Sequence, residues 1–273
     1  MFDSYRALAS TLAAQGILNE LAGGETADCG DVVRTLVVDA VLCGRIKKSS
    51  IVDAGNIVPG DVIVGLSSTG QAIYENMPNS GIGSNGLTLA RHAMLSREYA
   101  KDYPEVVDPN LSPDDVYRGP FFTTDRPEGL EMSVGEALAS PTRTYAPVIA
   151  RVLDTLGSSV HGIIHVTGGG QTKVLRFGRG NIYIKDNLFA PPPVFSLIQR
   201  FGHVAWREMY QVFNMGHRME FYLPEEFAAT VFEISSSFGI DARIIGRVER
   251  NNEAAASNKV TIECPYGSFD YTL

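Results

Sequence analysis

At 273 residues, with 44% hydrophobic and 20% charged side chains, the chain can bury a sizeable core and reads as globular, one large domain or two modest ones. A net charge of −8, with no Lys/Arg cluster beyond pairs such as Lys47-Lys48, argues against a nucleic-acid partner. No apolar run reaches the ~18 residues of a membrane span, the N-terminus lacks a signal-peptide layout, and Cys29, Cys43 and Cys264 show no C-x-x-C spacing, so a cytoplasmic protein with buried thiols is expected.

Asp3 or Ser4 can cap a first helix whose apolar positions Ala7, Leu8, Leu12, Ile17 and Leu21 run at helical spacing to the breaker Gly23-Gly24. Gly24-Glu25-Thr26, with Asp28 and Asp31 behind, places carboxylates on a glycine turn. It reads as a seat for a hard cation and its phosphate or as a solvated acidic turn. A strand is predicted over 35–43, and the turn-rich 47–60 reads as a connection, with a domain boundary near Pro59-Gly60 that divides the chain into 1–59 and 60–273. After a strand over 61–66 and a polar loop comes Ser80-Gly81-Ile82-Gly83-Ser84-Asn85-Gly86, leading into a helix predicted over 84–100. This G-x-G-x-x-G lacks the feeding strand and the downstream acidic residue of a dinucleotide site. It stands as a phosphate-cradling loop or as a plain turn with a Ser84/Asn85 cap.

Five prolines forbid a long helix over 101–129, a surface excursion or lid. Arg143 could grip a phosphate bidentately or close a helix-end ion pair. A helix is predicted over 146–156 and a strand over 161–166. On that strand His161 and His165 lie about 13 Å apart, too far for one zinc, which leaves His165 as a donor beside an anion site or as a backbone-satisfied histidine. Thr167-Gly168-Gly169-Gly170 is a second glycine cradle, entering a short helical segment at Gln171-Thr172-Lys173. Further helices are expected over 194–201, 205–212 and 225–238, with strands over 218–223, 242–249 and 259–263. The class is therefore mixed-sheet α+β. Several glycine-lined anion sites and no obvious nucleophile suit chemistry on phosphorylated ligands by positioning and electrostatics.

Taken in order, Leu21-Ala-Gly-Gly-Glu-Thr-Ala27, Gly60-Asp-Val-Ile-Val-Gly-Leu66, Ser84-Asn-Gly-Leu-Thr-Leu-Ala-Arg91, Gly135-Glu-Ala-Leu-Ala-Ser-Pro-Thr-Arg-Thr-Tyr145, His165-Val-Thr-Gly-Gly-Gly170, Pro192-Pro-Val-Phe-Ser-Leu-Ile-Gln199 and Glu208-Met-Tyr-Gln-Val-Phe-Asn-Met-Gly216 resemble the aminoimidazole ribonucleotide synthetase (phosphoribosylformylglycinamidine cyclo-ligase) family, to about Val248. The resemblance implies a two-domain synthetase-like fold, mixed sheets covered by helices, with the first domain incomplete. It also implies ATP- and magnesium-dependent closure of formylglycinamidine ribonucleotide to aminoimidazole ribonucleotide by a homodimer. On that basis Gly24, Glu25 and Thr26 would bind ATP, with Glu25 the metal ligand. Ser84, Asn85, Gly86, Thr167, Gly168, Gly169 and Gly170 would hold substrate phosphate or amide, and Arg143 and His165 would neutralise charge on the transferred group.

Two departures stand out: Gly83 where the family usually has histidine, and Met215-Gly-His-Arg-Met219 where it has Met-Gly-Ile-Gly-Met. The family's Asp-Gly-Val-Gly-Thr-Lys motif and Asn-Asp pair occur nowhere in these 273 residues. The expectation is therefore a chain that self-associates and turns over poorly unless that segment is supplied. The rival expectation is a non-catalytic module that binds phosphorylated ligands.

Overall fold

The computed structural model describes residues 2–252 and 257–273. In chain order the elements are α1 (Phe2–Ala14), β1 (Val62–Ser67), α2 (Leu87–Met94), α3 (Glu98–Asp102), α4 (Val134–Ala139), α5 (Ala146–Leu156), β2 (Gly162–His165), β3 (Asn181–Lys185), α6 (Pro193–Gly202), α7 (Trp206–Val212), β4 (His217–Leu223), α8 (Ala228–Ser237), β5 (Ala242–Arg250), β6 (Lys259–Cys264) and β7 (Gly267–Thr272). The strands form one mixed sheet in the order β2-β4-β1-β5-β3-β6-β7, in which only β3 and β6 run parallel. The class is α+β, as expected.

β1 and β4 are buried along their whole length because helices cover both sheet faces. Val62, Val64 and Leu66 pair with Leu223, Phe221 and Met219 and pack on one face against Val148 and Val152 of α5 and Val231 of α8. On the other face Ile63, Tyr222 and Ile245 meet Ala90, Ala93 and Met94 of α2, Phe195 and Ile198 of α6, and Met209 and Tyr210 of α7. Among the described residues no helix is long and apolar enough to cross a membrane.

A buried charge cluster crosses the sheet centre. Lys185 on β3 donates from Nζ to Glu220 Oε1 on β4 (2.5 Å), to Gln171 Oε1 (2.9 Å) and to Gln171 O (2.8 Å), using all three of its N–H groups. Between them stand β5 and β1, where Gly246 is opposite Lys185 and Gly65 opposite Glu220, so no side chain at either cross-strand position keeps the charges apart. Glu220 also pairs with His217 Nε2 (2.9 Å) and accepts from Tyr222 Oη (2.6 Å). Burial alone would raise the Glu220 pKa, but Lys185 and His217 hold it down at about 2.

Several expectations are corrected. Residues 35–43 form no strand; Leu36, Val37, Val38, Val41 and Leu42 are exposed, since an apolar, β-branched run without a neighbouring strand has no ladder to join. α1 stops at Ala14, before Gly16 at φ +82°, leaving Ile17 and Leu21 outside it. The helix expected over 84–100 breaks at Leu95, which is extended and bridges to Phe121. The 101–129 excursion is no detached lid, because Val116 and Tyr117 are part of the core. Cys29 and Cys43 are exposed and Cys264 half-buried. α4, β3 and β7 were not anticipated.

Glu220→Gln should cost about 3–5 kcal/mol in urea unfolding by leaving Lys185 buried without its counter-charge, and Lys185→Met in the same chain should recover part of it. Because the folded carboxyl titrates below its unfolded value, this contribution is present above about pH 4.3 and is lost as pH falls toward 2. Stability curves recorded at pH 7, 4 and 3 for both proteins check the sign.

Candidate functional site

The two glycine turns close on each other. A Cβ built on Gly168 would lie 3.8 Å from Asn85 Oδ1, although the two residues are far apart in the chain. Both turns rest on the end of α7. A Cβ on Gly86 (φ +77°) would strike the Phe213 ring at 2.3 Å, one on Gly170 (φ +50°) would meet Tyr210 O at 2.7 Å, and Asn85 Nδ2 donates to Val212 O at 2.5 Å. Gly86, rather than Ser84 or Asn85, is the N-cap of α2, with no side-chain cap, so Ser84 and Asn85 are not there to start the helix.

The first turn is anchored on three sides. Ser80 Oγ donates to Ala137 O (2.7 Å), and the Ser84 N–H donates to Thr142 Oγ1 (3.1 Å). From the far side Asn214 Nδ2 (2.7 Å) and Arg218 Nη2 (2.8 Å) both donate to Gly81 O. In the second turn Gly170 N–H closes on Thr167 O (2.8 Å) and Lys173 Nζ donates to Thr167 Oγ1 (2.7 Å). Gln171, next in the chain, donates from Nε2 to Asn214 O while its own carbonyl receives Lys185. The buried charge cluster thus reaches both turns. Sequence reading passed over Gln171, Lys185 and Glu220, and gave Lys173, Asn214 and Arg218 no role at the site. The one available signal was the set of polar residues His217, Arg218 and Glu220 in a strand whose other residues are Met, Phe, Tyr and Leu.

His165 ends β2 beside these turns, with Nε2 buried and lacking a partner among the described residues. Burial, followed by the positive charges of Arg218 and Lys173, pushes its pKa down to about 4. A neutral imidazole can hydrogen-bond a ligand but brings no charge, which corrects its expected role as a neutralising group; Lys173 and Arg218 are the cations here. His161 pairs with Asp61 (2.8 Å) at the other end of the strand.

Arg143 is also corrected. Its Nε and Nη2 clamp Glu75 (2.8 and 2.7 Å), Nη1 donates to Ser67 O and Thr69 O, and Nη2 also donates to Gly70 O, so all five N–H groups are engaged and none remains for a phosphate. Gly24, Glu25 and Thr26 are exposed on a stretch outside any helix or strand, and among the described residues no cluster of three His, Cys, Asp or Glu could hold a metal. A cavity of about 500 Å³, with Arg176, Arg179 and Arg250 in its lining, lies at the start of β3 and includes none of the turn residues.

Residues 58–257 match the family model described as AIR synthase related protein, C-terminal domain. A phosphoribosylformylglycinamidine cyclo-ligase of Methanococcus vannielii is 34% identical over 234 residues, covering 85% of this chain and 57% of that protein. The one from Methanopyrus kandleri is 36% identical over 237 residues, covering 84% and 57%. The chain therefore spans little more than half the length of the curated relatives it matches. Among solved structures, hydrogenase maturation protein HypE aligns at TM-score 0.44 and 16% identity over 81% of this chain and 55% of that one, and phosphoribosylformylglycinamidine synthase II of Thermotoga maritima at 0.42 and 11% over 83% and 27%.

Two outcomes test this geometry. Gly170→Ala should destabilise the protein by about 2–4 kcal/mol, through a positive-φ side chain forced onto two carbonyls, whereas Gly168→Ala should stay within about 0.5 kcal/mol; chemical denaturation decides. In an NMR titration the His165 imidazole should remain neutral until about pH 4. Since its folded pKa lies below the unfolded ~6.5, the stability tied to it is complete above that value and declines as pH falls through 4.

Proposed function

Since the chain belongs to the family of AIR synthase related proteins, through its C-terminal domain, we propose that it is the substrate-holding part of an ATP-dependent phosphoribosylformylglycinamidine cyclo-ligase. The observation that carries this reading is the meeting of the two glycine turns at Asn85 and Gly168, with two cations, Lys173 and Arg218, behind them. Short glycine turns with adjacent fixed cations suit a phosphate monoester.

In the proposed reaction the amide oxygen of formylglycinamidine ribonucleotide takes a phosphoryl group from ATP, the neighbouring nitrogen attacks that carbon, and inorganic phosphate leaves as the imidazole ring closes. The chain's own residues act on the substrate side. Ser84, Asn85 and Gly86 on one turn and Thr167 to Gly170 on the other hold its phosphate or amide. Lys173, already fixed on Thr167, balances the negative charge, and neutral His165 offers a hydrogen bond. For magnesium the residues present do not fit. A hard divalent cation takes several oxygen ligands, and Glu25 stands on an exposed stretch without them. No step is therefore assigned to a metal or to the 24–26 turn. A homodimer remains part of the proposal, supported by the exposed apolar side chains at 36–42.

A second reading, binding without turnover, is favoured by Arg143, which the fold engages completely. Calorimetry with formylglycinamidine ribonucleotide, run beside a phosphate-release assay with ATP, separates the two: binding with release supports the ligase, and binding without it the module. In either case Ser84→Ala with Asn85→Ala should raise Kd by about tenfold or more while lowering stability by only about 1 kcal/mol, because Ser84 is exposed and half-buried Asn85 gives up one hydrogen bond, to Val212 O. An unchanged Kd removes the two turns as the binding site.

A further inference from the structure

Arg218, the second residue of β4, is buried, yet its guanidinium lies across the first glycine turn. A Cβ built on Gly83 would fall 1.7 Å from Arg218 Nη1 and 2.2 Å from Nη2, so the guanidinium fills the room that any side chain at 83 would need. Gly83 also has φ +59°, a conformation glycine adopts without strain. Only glycine at 83 lets the arginine through, and the arginine in turn secures the turn by donating to Gly81 O.

The charge is not neutralised internally. Neighbouring Arg143 is paired with Glu75, whereas among the described residues no carboxylate pairs with Arg218. Among the described residues its buried Nε–H finds no partner, and the same is true of His165 Nε2 and of Ser68 Oγ. Ser68 Oγ lies 2.7 Å from where a Cβ on Gly81 would be. These three groups occupy the same ends of three adjacent strands: Ser68 directly follows β1, His165 ends β2 and Arg218 begins β4. Buried polar atoms without partners are few in a folded protein. Three at one end of the sheet, one of them cationic, leave a positive charge there that an anionic group seated on the glycine turns would answer.

We propose that Arg218 is the specificity-determining positioning residue of this site: laid over Gly83, it fixes the 81–86 turn and sets a permanent positive charge behind Ser84 and Asn85, selecting a phosphorylated ligand over its dephosphorylated counterpart. This rests on reading the paired turns as a phosphate seat. A guanidinium keeps its charge throughout the accessible pH range, so the selection does not depend on protonating His165.

The test compares binding of formylglycinamidine ribonucleotide and of the corresponding nucleoside by calorimetry, with thermal unfolding recorded for each variant. The original chain should prefer the ribonucleotide by about tenfold or more, Arg218→Met should bring the ratio close to one, and Arg218→Lys should restore part of it. Gly83→Ala displaces the guanidinium without deleting it and should lower the ratio as well, which keeps the test decisive if Arg218→Met does not fold. A folded Arg218→Met or Gly83→Ala protein that keeps the full ratio overturns the role of Arg218 and leaves the phosphate seat standing. Equal binding of the two compounds by the original chain overturns the seat itself, and the assignment of Arg218 with it.

Discussion

The Lys185–Glu220 ion pair is the constraint on which the rest of the site depends. Two charges removed from water are tolerated only if every remaining hydrogen-bonding group finds a partner, and here the requirement organises the neighbourhood. The ammonium uses its remaining N–H groups on Gln171, which places the start of the helical turn after Gly170. Gln171 fixes the carbonyl of Asn214, and Asn214 holds the carbonyl of Gly81. One interior cluster therefore sets the separation of two turns that are distant in sequence. Gly65 and Gly246 matter to this as well, since a Cβ on Gly65 would press on the His217 ring at 3.2 Å and one on Gly246 would strike Ile184 O at 1.9 Å.

Two arginines show how burial divides roles between chemically identical groups. Arg143 is enclosed by acceptors for all five N–H groups and is framework: it ties Glu75 to the end of β1 and to the loop that follows. Arg218 is also buried, but among the described residues its Nε–H has no acceptor and its charge no carboxylate partner, so its field extends into the turns. The nearby imidazole yields accordingly, because desolvation together with Arg218 and Lys173 makes its charged form unfavourable. An arginine that stays charged beside a neutral hydrogen-bonding ring keeps the positive charge at the site independent of His165.

Local chemistry was legible in the sequence and long-range coupling was not. The helix over 146–156 has the bounds of α5, because Pro147 in the first turn and Gly157 after the last mark both ends. Strands with apolar cores, β1, β4, β5 and β6, were found to within a residue or two. β3 was missed because Asn181-Ile-Tyr-Ile-Lys185 is short, follows Gly178 and Gly180, and ends in a lysine that only its partner beyond two intervening strands explains. Residues 35–43 show the converse. Thr-Leu-Val-Val-Asp-Ala-Val-Leu-Cys has strand composition, but β-structure is pairing, and composition states a preference without supplying the partner. At the site the glycines announced both turns, since only they accept φ near +80° and a neighbour's backbone at van der Waals distance. Arg218, behind the first turn, was hidden because charge in a strand reads as a solvent-facing position. A guanidinium at Arg218 becomes a site residue only once Gly83 is seen to make room for it, and that relation joins residues 135 positions apart.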